Sequence, residues 1–418
     1  MNQTGNIFLE TADYLGAKLC RDAVWSGNRC NWLGDSMEPI DGSWIVVHRA
    51  FGPEFYNGTS GIAYFLSHLF QATNERIFSL TADAAMRQAL SRTEDISERA
   101  RGAFYTGLVG VAFAAIKVGE ILDNSSFVDK GIKILKEQAS DDPAVGGLDI
   151  ISGSAGTIPA LLNINKKYPN DFLVQQAIKH GEHLIATARK ANIGWSWNAL
   201  NNPPGQHDLC GFSHGSAGIA WALLELYKHT NEQKFRAAAE QGFYYERHWF
   251  SAEQENWPDL RVFGPQQTTQ RPSNFMSAWC HGAPGIGLSR IRAFQLTGDQ
   301  PYRAEAEAAL RTTIKILPPS PYAGQNNYSL CHGNGGNADL LIYASTVFDN
   351  KEYKQAAEQV GLQGYELYRK TNFPWPCGVN GGGEAPNLML GLAGIGYFYL
   401  RLVDPVKIPS VLIVLPDA

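Results

Sequence analysis

A chain of 418 residues, 44% hydrophobic and 18% charged, has the composition of a folded globule and the length of two or three ordinary domains. Its net charge of −5 argues against nucleic acid as a partner, because phosphate binding needs a basic face. Six cysteines (Cys20, Cys30, Cys210, Cys280, Cys331 and Cys377) are too few and too scattered for a disulfide framework. No apolar run reaches the roughly 18 residues of a membrane span.

In chain order, the start "MNQTGNIFLETADYLG" has no basic segment followed by an apolar run, so no signal peptide is expected. A reducing, cytoplasmic location follows as the simplest expectation. "IFLETADYLGAKLCRDAVW" (residues 7–25) predicts a charged amphipathic helix, and "SWIVVHR" from Ser43 predicts a strand. Then Gly-x-x-Gly followed by an apolar run occurs seven times: "GTSGIAYFL" from Gly58, "GLVGVAFAA" from Gly107, "GSAGTIPALL" from Gly153, "GSAGIAWALL" from Gly215, "GAPGIGLSR" from Gly282, "GNGGNADLL" from Gly333 and "GLAGIGYFYL" from Gly391. Charged helices stand between them, such as "FLVQQAIKHGEHLIATARK" (172–190) and "QPYRAEAEAALRTTIKIL" (300–317). "SVLIVL" from Ser410 predicts a last strand.

One glycine pair is a helix start; seven, at intervals of 46 to 67 residues, are a repeat architecture. Each unit reads as a charged outer helix, a loop, the glycine pair and an apolar inner helix. An open stack would need polar capping repeats, and none is visible at either end. The prediction is therefore an all-α protein, an (α/α) toroid of seven inner and seven outer helices, with residues 1–418 forming a single domain. Three long loops, "WNALNNPPGQHDLCGF", "LPPSPYAGQNNYSLC" and "TNFPWPCGVNGGGEAPN", lead into inner helices, where functional residues concentrate.

With the repeats aligned on their first glycine, the preceding residues are Asn57, Thr106, Ser152, His214, His281, His332 and Leu390. Two before it stand Tyr56, Tyr105, Ile151, Ser213, Cys280, Cys331 and Met389. Cys280 and Cys331 are thus equivalent positions on successive repeats, each followed by histidine. Thiolate and imidazole suit Zn2+, which takes about four ligands. Cys280, Cys331 and one histidine would leave a fourth position open, as catalytic zinc sites do. Cys20, Cys30, Cys210 and Cys377 read as small buried hydrophobes. His48, His68, His180, His183, His229 and His248 read as core or surface residues. Asp149, in "LDIISGSAG", has a helix-capping reading beside a functional one.

"GFSHGSAGIAW", "AWCHGAPGIGLSR" and "SLCHGNGGNADLL" resemble the signature motifs of the lanthionine synthetase C-like family, over nearly the whole chain. "RCNWLG", "LMLGLAGIGYFYLRL" and "PSVLIVL" resemble the cyclase domain that ends class II lanthipeptide synthetases. The resemblance implies a zinc-dependent enzyme that adds peptide Cys thiols to dehydroalanine or dehydrobutyrine, giving thioether rings. It implies Cys280, Cys331 and His332 as zinc ligands, and His214 and Asp149 as acid/base residues. His281 stands where class I members usually have Tyr, and is a further catalytic candidate. Met276 stands where some class I members carry arginine; Arg271, nearby, is not given that role. The implied partner is a dehydrated precursor peptide; the chain is too short to hold a dehydratase region, so it reads either as a free-standing cyclase served by a separate dehydratase or as an excised cyclase domain. Rival readings are addition of glutathione to dehydroamino acids and a zinc-stabilised peptide-binding scaffold. A toroid glycosidase would need paired carboxylates, which these repeat positions do not supply.

Overall fold

The structure is a computed structural model that describes residues 3–40, 43–138, 141–262, 274–317 and 327–417. Fourteen α-helices and six short strands are present among the described residues. The chain divides into two compact units: Met1–Ser97, Thr106–Leu135 and Leu317–Leu412 form the first, and Glu98–Tyr105, Lys136–Ile316 and Ile413–Ala418 the second.

In the first unit, α1 (Gln3–Asp22), α3 (Arg76–Leu90) and α13 (Lys351–Gly364) are the charged helices; α2 (Thr59–Thr73), α4 (Leu108–Ile121), α12 (Asn334–Val347) and α14 (Leu392–Val403) are apolar. The first eleven residues of α2, α12 and α14, and all of the first eleven of α4 but Lys117, are buried, so these helices form the core, with the charged helices outside. The apolar helices neighbour one another in the order α12, α14, α2, α4, and α14 also packs on α1. The last repeat therefore meets the first, and the series has no bare apolar end here. α5 (Ser125–Gln138) is shared between the units. In the second unit α6 (Ser154–Lys167), α8 (Ser216–Thr230) and α10 (Ala283–Thr297) are the buried row, faced by α7 (Asp171–Thr187), α9 (Gln233–Trp249) and α11 (Gln300–Ile316).

The glycine pairs have a common physical cause. An added Cβ on Gly61, Gly156, Gly218, Gly285, Gly336 or Gly394 would lie 1.8–2.2 Å from the carbonyl oxygen of the residue six places earlier. Each second glycine thus lets the loop before the helix fold back onto the helix itself, and only a missing side chain makes room. Five of the six candidate site residues sit on the spans so clamped, His214, Cys280, His281, Cys331 and His332, and Asp149 immediately precedes one. Gly218→Ala, which would meet Phe212 O at 2.0 Å, is expected to cost about 1–3 kcal/mol by overpacking against backbone. Urea unfolding beside Gly102→Ala as control, where the nearest atom is His180 Cε1 at an ordinary 3.9 Å, measures the difference.

The strand predicted at Ser43 is present. β4 (Ser43–Ala50) pairs antiparallel with β3 (Leu33–Ile40). Two further hairpins, β1 (Val24–Ser26) with β2 (Arg29–Asn31) and β5 (Arg189–Ala191) with β6 (Gly194–Ser196), take the ends off two predicted helices. Helix 7–25 stops at Asp22, and helix 172–190 stops at Thr187, each where the chain turns into a hairpin. The predicted strand at Ser410 is absent. Val411, Leu412 and Ile413 are buried in succession, not alternately, and Leu412 N bonds Ser410 Oγ at 3.1 Å instead of a neighbouring strand. No described helix is long and apolar enough to cross a membrane.

Candidate acid–base and metal-binding residues

The repeat register read from the sequence is built as hydrogen bonds between successive loops. In the second unit Ile150 N donates to Ser213 O at 3.0 Å, and Ser213 N to Cys280 O at 3.4 Å. In the first, Cys331 N donates to Met389 O at 3.0 Å, and Met389 N to Tyr56 O at 2.9 Å. Within the second unit the third loop thus donates to the fourth and the fourth to the fifth; within the first unit the sixth donates to the seventh and the seventh to the first. Tyr56, Ser213, Cys280, Cys331 and Met389, each two places before a first glycine, take part in these bonds through main-chain atoms, and Ser213 Oγ adds a side-chain bond to Cys280 O at 3.3 Å.

Asp149 and His214 are brought together. His214 Nδ1 lies 2.6 Å from Asp149 Oδ2, and Asp149 is wholly buried. The other oxygen, Oδ1, accepts from Ser152 N at 2.7 Å and Ser152 Oγ at 2.9 Å. Asp149 is therefore not a helix cap, since α6 begins at Ser154 with Gly153 as its N-cap and no side-chain cap bond; one oxygen fixes the turn at Ser152 and the other holds His214. A carboxylate accepts, so Nδ1 carries the proton and Nε2 is the imidazole's outward nitrogen. Burial presses the His214 pKa down, but the charge and hydrogen bond of Asp149 outweigh it and leave the value above that of an ordinary histidine.

His281 lies beside this pair, its ring centroid 5.9 Å from that of His214. It is 1% exposed, and neither ring nitrogen has a hydrogen-bond partner among the described residues. Burial and then the charge of Arg261 hold its pKa well below the usual range, against the opposing pull of Asp259, whose Oδ1 is 4.0 Å from Nδ1. Asp259 and Arg261 are the two residues that sequence reasoning missed. Their side chains meet through Nε at 2.9 Å and Nη2 at 2.6 Å, and Arg261 Nη2 reaches Met276 Sδ at 3.6 Å. A guanidinium therefore stands against the residue that replaces the family arginine. The Asp-x-Arg spacing in "PDLRVF" was the available signal. Arg271 lies outside the described residues.

Behind His214, Glu246 of α9 is fully buried, and its Oε1 accepts from Gly211 N at 3.1 Å and Ala217 N at 2.9 Å. One carboxylate oxygen thus brackets the span that carries His214. Burial pushes its carboxyl up to about 7, with the charge of Arg290 and the two N–H groups opposing. A folded-state value above the ordinary 4.5 means that the native chain keeps a proton the unfolded chain releases. Native stability then falls as pH rises from about 4.5 to about 7, and is level beyond. Glu246→Gln is expected to remove that slope, a change of up to about 3 kcal/mol relative to the parent between pH 4 and pH 8. Urea unfolding at both pH values checks it, and parallel slopes would refute it.

Of the four cysteines expected to be buried hydrophobes, Cys30 and Cys210 are buried, whereas Cys20 and Cys377 are only partly so. None of the six is in a disulfide. Cys30 and Cys210 are packed in the core, and burial raises both thiols. Cys280 (7% exposed, second unit) and Cys331 (5%, first unit) sit at loop positions before inner helices. His332 Nε2 lies 3.0 Å from Gly378 O. A carbonyl can only accept, so Nε2 carries the hydrogen and Nδ1 keeps a lone pair, the state a metal-ligating imidazole requires. His332 also lines an open cleft of about 520 Å³ with Trp375, Cys377 and the glycine-rich turn 381–383. Among the described residues no three His, Cys, Asp or Glu side chains are gathered as a metal-holding group. The donor chemistry of Cys280, Cys331 and His332 fits zinc.

A sequence profile described as "Lanthionine synthetase C-like protein" matches residues 50–413. Lacticin 481/lactococcin biosynthesis protein LcnDR2 of Lactococcus lactis subsp. lactis is 23% identical over 96% of this chain, which spans only 40% of that protein's length. Nisin biosynthesis protein NisC, also of Lactococcus lactis subsp. lactis, is 22% identical over 74% of this chain and 78% of its own. Glutathione S-transferase LANCL1 of Danio rerio is 23% identical, covering 84% and 82%. Among solved structures, nisin cyclase superposes with a TM-score of 0.68 at 17% identity, covering 88% of this chain and 94% of that one. The expected fold class, an all-α (α/α) toroid, is the one this likeness supports. With the family profile spanning most of its length, the chain belongs to the lanthionine synthetase C-like family.

Proposed function

We propose that the chain closes thioether rings in peptides, adding a cysteine thiol to dehydroalanine or dehydrobutyrine. The observation that supports this most is the Asp149–His214 pair at 2.6 Å, held on a clamped loop that is hydrogen-bonded to Cys280 within a lanthionine synthetase C-like chain. Zinc, held by Cys280, Cys331 and His332, would lower the thiol pKa so that thiolate is available at neutral pH. In the reaction the S–H proton leaves, sulfur bonds the β-carbon, and the alkene electron pair moves toward the α-carbon as an enolate. That carbanion must then receive a proton.

His214 fits the proton donor. Its raised pKa keeps a useful share protonated near neutrality, and Nε2 faces outward while Nδ1 is tied to Asp149. Asp149 orients and charges the imidazole; with both oxygens engaged and no exposure, it is not itself the acceptor of the thiol proton. His281, held neutral, lines the site without storing a proton. Arg261, fixed by Asp259, supplies positive charge where an enolate oxygen would develop. The dehydrated substrate must come from a reaction that removes water from Ser or Thr, the work of a dehydratase on this or another chain, and the chain would work in the cytoplasm.

Ring closure leaves mass unchanged, so the test is thiol accessibility. Chain and zinc with a dehydrated Cys-containing peptide should remove sites for N-ethylmaleimide alkylation, with tandem mass spectra locating the ring. The likeness to LANCL1 supports a second reading, addition of free glutathione, which would instead appear as a mass gain. Glutathione adduct without ring closure would replace the first reading; neither product would leave the scaffold reading standing.

A further inference from the structure

The loop that carries Asp149 has a second face. On it, within the second unit, lies a cavity of about 140 Å³ walled in part by Gly147, Ser152 and Gly153. Ser152 is also the residue that fixes Asp149 Oδ1. The reaction above makes no use of this cavity.

Its floor consists of polar side chains almost entirely shut off from solvent: Gln138 is 7% exposed, Gln176 5% and His180 5%. Gln176 Nε2 donates to Gln138 O at 3.2 Å. Since a carbonyl only accepts, that bond settles which end of the amide is nitrogen and leaves Oε1 as an acceptor. Gln176 and Gln138 both line the cavity, and the Oε1 of each is buried with no hydrogen-bond partner among the described residues. A buried acceptor left so costs about 1–3 kcal/mol, and two such groups in one small cavity call for a donor-bearing guest. His180, bonded through Nδ1 to Ser154 Oγ at 2.9 Å, is held neutral by burial. At the rim Arg99 and Arg101 are outnumbered by Glu98, Asp141 and Asp142, so the lining is net negative. Acceptors below and surplus carboxylate above do not suit an anion. A cavity of about 150 Å³ holds a benzene-sized group, which is the scale of one side-chain end.

We propose that this cavity is a binding site for the cationic, donor-rich end of a peptide side chain, a guanidinium or an ammonium, whose N–H groups satisfy Gln138 Oε1 and Gln176 Oε1. The proposal rests on the cavity and not on thioether formation, and its test reads binding alone, so either can fail without the other.

The test titrates Nα-acetyl-arginine amide and Nα-acetyl-lysine amide into the full chain, followed by amide chemical shifts or calorimetry. Millimolar binding is expected, with Nα-acetyl-leucine amide weaker by about tenfold or more, a difference of about 1.4 kcal/mol. Gln176→Met keeps the shape and removes the acceptor, and should weaken arginine amide by about tenfold. Glu98→Gln with Asp141→Asn changes only exposed rim charges, so the fold is kept, and should weaken binding several-fold and flatten its dependence on salt. Failure of the cationic probes to bind, equal binding by leucine amide, or a rim variant indistinguishable from the parent overturns the proposal.

Discussion

Cys331→Ala is expected to lose tightly held zinc and ring-forming activity together. The argument is one of charge and tautomer. Two cysteine thiolates balance a divalent cation, and His332, with Nε2 committed to Gly378 O at 3.0 Å, has its lone pair on Nδ1. Removing one sulfur strips a charge and a donor from a three-residue set. A fall in zinc affinity of about two orders of magnitude or more is expected, read by competition with a chromogenic chelator, with Cys280→Ala behaving alike. Cys377→Ala is the informative control. Cys377 lines the same cleft as His332, but its sulfur accepts from Ala385 N at 3.4 Å and burial pushes the thiol up to about 12. It should keep metal and rate. Zinc retained at full affinity in both Cys280→Ala and Cys331→Ala would remove the proposed ligand set.

The second large effect is expected at Asp149→Asn. Asparagine can still accept from Nδ1, so the ring stays oriented, but the negative charge that raises the His214 pKa is gone. The imidazolium should then lose its proton at lower pH than in the parent. Turnover at neutral pH should fall by about 10²–10⁴, in the range that loss of an acid/base group carries, while zinc affinity stays. The sign is specific: if His214 donates a proton, the alkaline limb of the pH–rate profile moves to lower pH, and part of the rate returns on acidification. His214→Asn, without any imidazole, should lose rate and show no such recovery. A profile that does not move in Asp149→Asn would take His214 out of the proton-delivery role.

The helical repeat was legible because its marker is steric. Six of the seven second glycines sit within van der Waals contact of a carbonyl six places earlier, a demand no other residue type meets, so the sequence repeats it. The register of Cys280 and Cys331 was legible for the same reason, since the backbone bonds from Ser213 to Cys280 and from Cys331 to Met389 join the positions the alignment made equivalent. Asp149 and His214 came from the family motif, and their contact needs two loops brought together from 65 residues apart. Asp259 and Arg261 were not legible, because they lie outside the glycine register and gain meaning only from nearness to His281 and Met276. The strand expected at Ser410 failed because consecutive burial of Val411, Leu412 and Ile413 looks, one residue at a time, like strand composition.

The rungs that tie loop to loop are main-chain bonds, with one side-chain bond added from Ser213 Oγ to Cys280 O at 3.3 Å, so the frame depends little on what hangs from it. Tyr56, Ser213, Cys280, Cys331 and Met389 occupy one kind of socket, and a hydroxyl, a thiol, a thioether or a phenol can be seated there without redesigning the scaffold. New chemistry can therefore be fitted by exchanging a single plug. Ser213→Cys would present a further sulfur at the rung beside Cys280, and it should alter the metal preference of the protein before it alters its melting temperature.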